Sequence, residues 1–151
     1  MKLLIYLDNC CYGRVYDNQS SEKIISETKS IRFIRKQIET EKIELATSYM
    51  LHYENNQRPN EIEKIEIEKF FKTYRKIHIG IDFAEKLSET INKIMSSGIK
   101  RKDAHHVATA IEANCEYFLT TDERLLKFST DKIKLLNPTE FEKIFGGEQI
   151  D

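Results

Sequence analysis

Proline and glycine are scarce in this chain, two and five among 151 residues, well below their average use in soluble domains. That scarcity excludes a collagen-like repeat, a flexible linker and a turn-dense β-sandwich, and it leaves helices to dominate. Cysteine is rare too. The three present include the neighbours Cys10 and Cys11, which could bridge each other only under strain and would leave one over. A disulfide framework is therefore not expected, and a reducing cytoplasm is. Long apolar runs are missing: Leu3 to Leu7 is stopped by Asp8, too short for a signal-peptide core or a membrane span. Neither sign of charge dominates, with 24 Lys and Arg against 25 Asp and Glu. No global attraction to a polyanion follows, so any nucleic-acid contact must come from local basic patches or bound metal.

What is present suffices for one core. Forty per cent of the residues are hydrophobic and 32% charged, and a chain of this length buries about 70% of its unfolded surface. A single domain over residues 1–145 is expected, with Gly146-Gly147 releasing a polar tail over 146–151.

Residues 2–7 are apolar without alternation, the pattern of a strand covered on both faces, and read as a central parallel strand. Ser20-Ser21 offer caps to a helix reaching about Glu41, with Ile24, Thr28, Ile31, Ile34 or Arg35, and Ile38 along one side. A strand is expected at 43–47, then a helix from Ser48 to about Glu54 that ends by Arg58-Pro59. Asn60 and Glu63 form a capping-box pattern before a helix whose apolar face is Ile62, Ile65, Phe70 or Phe71, and Tyr74. Residues 77–81 alternate as a strand, and Asp82 with Glu85 caps a helix that closes at Gly98. Ala104, Val107, Ala108, Ile111 and Cys115 mark a buried helical stripe. A strand at 117–120, a short helix at 122–127, a strand at 133–136 and a helix after Pro138 complete the chain. Alternating strands and helices predict an α/β domain, a parallel sheet of four to five strands with helices on both faces.

In such a sheet the functional crevice lies beyond the carboxyl ends of the strands. There the chain is acidic or hydroxylic: Asp8, then Ser48 with Glu54, then Thr120-Thr121-Asp122, while Asp103 opens the helix before that last strand. Two carboxylates about 4 Å apart repel by roughly 4 kcal/mol at an effective dielectric near 20, so convergence needs a positive partner. Carboxylates with water suit Mg²⁺ or Mn²⁺ rather than Zn²⁺. One or two such ions activate water against a phosphodiester and neutralise the leaving oxygen, the chemistry of a metal-dependent nuclease.

The opening YLDNCCYGRVYDNQ, the segment SYMLHYE, the helix KDAHHVATAIEA and the strand end YFLTTDERLLK together resemble the PIN-domain family, across nearly the whole chain. The resemblance implies a single Rossmann-like PIN domain with Mg²⁺- or Mn²⁺-dependent ribonuclease activity. It also implies a toxin of the VapC type with an RNA substrate and an antitoxin protein as partners, often as a homodimer. By position it makes Asp8, Glu54, Asp103 and Asp122 the metal-binding and catalytic acids. Glu41 and Glu44 lie near enough in sequence to compete with Glu54, and Lys102 and His105 stand where similar chains carry apolar residues.

Each residue also has a plainer reading. Asp8 can stop a strand, Asp103 and Asp122 can be first-turn acids on a helix dipole, and Thr120 with Glu123 can be a capping box. Asn9, Ser48 and Thr121 either orient the carboxylates or satisfy nearby backbone. Arg14 is a candidate substrate contact, and Lys100-Arg101-Lys102 either meet RNA phosphates or form a solvated surface. His105 and His106 point to different helix faces, against a shared zinc site, and Cys10 and Cys11 read as packing residues. Two rivals stand beside the nuclease: a catalytically silent nucleic-acid or protein binding module, and a phosphotransfer receiver, against which the missing lysine after a later strand counts.

Overall fold

The computed structural model describes residues 2–150, with side chains through residue 146. β1 (Leu3–Leu7) is followed by α1 (Asn9–Arg14), α2 (Glu22–Glu39), β2 (Ile43–Ser48), α3 (Tyr49–Asn56), α4 (Glu61–Tyr74) and β3 (Arg75–Ile79). A 3-10 turn at Ile81–Phe83 leads into α5 (Ala84–Met95) and α6 (Arg101–Glu112). β4 (Tyr117–Leu119), a second 3-10 turn at Leu125–Lys127, β5 (Lys134–Leu136) and α7 (Pro138–Ile150) follow.

The strands form one five-stranded sheet in the order β3-β2-β1-β4-β5, with every neighbouring pair parallel. This is the α/β architecture the sequence predicts, a sheet flanked by helices. β1 lies at its centre because its residues leave no polar face: Ile5, Tyr6 and Leu7 are all fully buried, and successive side chains point to opposite faces. Tyr6 stacks on Phe118 of β4 at 5.3 Å, and Tyr12 of α1 meets Phe71 of α4 edge-on at 4.8 Å. Among the described residues no helix is long and apolar enough to cross a membrane, and all three cysteines are free.

Several elements differ from their sequence readings. α1 was not anticipated; Asp8 caps it by accepting the Asn9 N–H, and Cys11 and Tyr12 anchor it in the core. The buried face of α4 is Ile67, Phe70 and Phe71, while Ile62 and Ile65 lie exposed. β3 ends at Ile79, and Asp82 sits inside the 3-10 turn rather than capping α5, whose N-cap is Phe83. The expected helix at 122–127 is only a 3-10 turn. α7 runs on through Gly146-Gly147 to Ile150, because Phe141 and Phe145 stack on each other and against Tyr117 and Phe33. Of the polar tail expected over 146–151, residue 151 lies outside the described residues.

Candidate active site

The chain leaves β1 for β2 and β3 on one side, then crosses to β4 and β5 on the other. The order therefore reverses between β1 and β4, where parallel sheets open a crevice beyond their carboxyl ends. Asp8 follows β1 and Thr120 to Asp122 follow β4, so both lie at that reversal. The Asp8 N–H donates to the Leu119 carbonyl at 2.9 Å. Its carboxylate is buried and accepts the Asn9 N–H at 2.8 Å and the Thr120 hydroxyl at 2.8 Å. Thr120 Oγ1 in turn accepts the Asp122 N–H at 3.1 Å, and Asp122 Oδ1 accepts the Arg124 N–H at 2.9 Å. One threonine thus ties two acids together, and no Thr120–Glu123 box forms: Glu123 pairs with Lys23.

Asp103 sits in the first turn of α6, half buried. Burial, then the charges of Asp8 and Asp122, raise its carboxyl above the usual aspartate value; Glu54 adds to this and His106 opposes it. The four predicted acids therefore share one electrostatic neighbourhood. Glu54, near the end of α3, is held by a hydrogen bond from the ring of His106, Nε2 to Oε1. Burial pushes the Glu54 carboxyl up, but His106, with Lys102 and Arg58, brings it below its ordinary value. Burial likewise disfavours the charged His106 ring, yet Glu54, Asp8 and Asp103 raise its pKa. His106 Nδ1 lies 2.6 Å from the Tyr6 hydroxyl, which lies 2.7 Å from Ser48 Oγ. A buried chain of four polar side chains thus links β1, β2, α3 and α6.

Sequence reasoning missed His106 and Tyr6 as parts of this site. The available signal was the spacing of Asp103 and His106, three residues apart and hence on one side of the helix. Arg58 was also missed: it donates to Asn55 Oδ1 and to both the carbonyl and the side chain of Asn9. It lies against Gly13, where an added Cβ would come within 2.8 Å of its Nη1.

Four expected contacts fall elsewhere. Arg14 pairs with the buried Glu27 at 3.0 Å and the exposed Asp17 at 2.9 Å. The Asn9 side chain turns to Arg58, and only its backbone N–H reaches Asp8. Ser48 caps α3 and bonds Tyr6, reaching Glu54 only through His106. The hydroxyl on Asp8 is that of Thr120, while the Thr121 backbone N–H meets Cys10 Sγ at 3.4 Å. His105 bonds Tyr49 at the start of α3, and His106 bonds Glu54 near its end. The Cys11 thiol is pushed up by burial, which suits packing and not attack.

The donor set fits a hard divalent cation in kind, since Asp8, Asp103 and Asp122 offer carboxylate oxygens. Among the described residues, no three His, Cys, Asp or Glu side chains are already close enough to hold an ion together.

No family model matches the chain, and no curated protein matches it. Solved structures do. A chain from the crystal structure of VapBC2 from Rickettsia felis bound to a promoter DNA fragment matches with TM-score 0.55 and 13% identity, over 89% of this chain and 98% of that one. A chain from FitAB bound to the IR36 DNA fragment matches with TM-score 0.55 and 17% identity, over 89% and 95%. One from FitAcB of Neisseria gonorrhoeae matches with TM-score 0.51 and 16% identity, over 89% and 97%. What this chain shares with those proteins is the fold, a parallel sheet flanked by helices.

Proposed function

We propose that this protein is a metal-dependent endoribonuclease, the toxin of a toxin-antitoxin pair. The observation that carries the reading is geometric: at the sheet reversal Thr120 bonds both the Asp8 carboxylate and the Asp122 N–H, and Asp122 shares a cleft wall with Asp103. Asp8, Glu54, Asp103 and Asp122 would hold Mg²⁺ or Mn²⁺. When bound, the ion supplies Lewis-acid charge at an RNA phosphodiester and acidifies water for attack on it. The chain's own residues orient the acids. Thr120 and the Asn9 N–H fix Asp8, and His106, braced by Tyr6, fixes Glu54. The likeness to chains from VapBC2 and FitAB, each solved with DNA, supports a protein partner. That partner is an antitoxin, with a cytoplasmic setting and a second copy of the chain as further parts of the same reading.

Purified protein should cut RNA in Mn²⁺ and stop in EDTA, and Asp8→Asn should abolish cleavage while the fold survives. Calorimetric titration should show Mn²⁺ binding at millimolar strength or tighter, lost in Asp103→Asn. Wild-type protein that binds no Mn²⁺ and cuts no RNA would refute the enzyme and leave a silent binding module.

A further inference from the structure

A cleft of about 510 Å³ opens between the end of α5 and the turn after β4, with Asp103 and Asp122 in its wall. Lys100, Arg124 and Lys127 line the same cleft and are exposed. Among the described residues none of the three lies in an ion pair, whereas Lys23, Lys64 and Lys86 each have a carboxylate partner. The structure divides the basic run at the start of α6. Lys100 faces the cleft, Arg101 acts on His105 and Lys102 acts on Glu54. The ring of Phe128, partly buried, forms part of the wall.

We infer that this cleft binds the phosphodiester backbone of single-stranded RNA, with Lys100, Arg124 and Lys127 on the phosphates flanking the cleaved one. The inference rests on the nuclease reading for the identity of the cleaved bond. Its physical ground is separate: unpaired cations along a polyanion's path position the strand without reading its sequence. Two acids at the cleft wall repel a bare phosphate, so the cations hold the strand beside them. The volume is that of a small-molecule pocket and admits about two nucleotides of one strand, not a duplex.

The test is fluorescence anisotropy of a labelled single-stranded RNA in EDTA, where no cleavage intervenes, over a range of salt. The triple variant Lys100→Gln, Arg124→Gln, Lys127→Gln should bind at least about 10-fold more weakly at low salt. Its log–log salt slope should be shallower by about 2, at roughly 0.7 per phosphate contact on a single strand. A control, Lys69→Gln with Lys72→Gln on α4, should bind as wild type does. Unchanged affinity and slope in the triple variant, with its circular dichroism intact, would overturn the inference even if Mn²⁺-dependent cleavage is found. Binding that depends on the three cations without any cleavage in Mn²⁺ would uphold it and refute the nuclease.

Discussion

The Tyr6 hydroxyl lies between Ser48 Oγ and His106 Nδ1 inside the core, so Tyr6→Phe removes a partner from each. A buried polar group left unsatisfied costs about 1–3 kcal/mol, and urea unfolding should show a loss of that size; a loss below about 0.5 kcal/mol would mean that the chain of hydrogen bonds does not form. The Glu54–His106 pair makes a pH prediction. Glu54 is held below its ordinary 4.5, so its contribution is present above 4.5 and lost as pH falls through the lowered value. His106 is held above its ordinary 6.5, so its contribution is full below 6.5 and lost as pH rises through the raised value. Glu54→Gln should therefore lower Tm most between those two ordinary values and least in alkaline, metal-free buffer. A penalty independent of pH would show that the pair is not ionised. At this scale the positions of Asp8, Asp103 and Asp122 were legible in the sequence, because each follows a strand or opens a helix that apolar patterning marks, whereas Glu54 lies near the end of α3. His106 and Tyr6 were not, because a histidine in a helix and a tyrosine in a strand carry no sign of facing each other. Arg14 misled for a related reason: its partner Glu27 is thirteen residues on and adjacent only once α1 packs on α2.

Gly146 lies within α7, and a Cβ there would meet nothing within 4 Å. Glycine inside a helix costs about 0.5–1 kcal/mol relative to alanine, so Gly146→Ala should raise stability by that amount in chemical denaturation. A loss would mean that this turn of α7 is not helical in solution. Helix stops at glycine are local preferences, and here the packing of Phe141 and Phe145 overrides them. Where local and tertiary signals agree, the reading holds. Asn60 accepts the Glu63 N–H at 3.1 Å, as the capping pattern predicts, and Gly98 adopts φ +91 where α5 was expected to close. α1 stayed hidden because six residues carry too little periodicity to read, and its start depends on a capping bond from Asp8. β3 alternates in sequence yet exposes Ile77, since an edge strand need not bury the face its pattern suggests.

The sheet as a whole was legible because its strands are short apolar blocks separated by amphipathic helices, a pattern with few topological solutions. That β1 is central and parallel was legible too, from its two covered faces, whereas nothing local says that the strands beside it must be β2 and β4. That placement has a measurable consequence: Ile5, Tyr6 and Leu7 pair with Tyr117, Phe118 and Leu119. A fragment ending at residue 116 lacks this pairing and exposes one edge of the central strand. Its circular dichroism should lack the cooperative thermal transition of the intact chain, and a fragment that melts like the full protein would contradict the central role given to β1. A ribosome adds residues in chain order, so Asp8 emerges before Leu119 and waits for it to leave the exit tunnel before its backbone is held. Translation that stalls before that point yields a nascent polypeptide without a finished crevice.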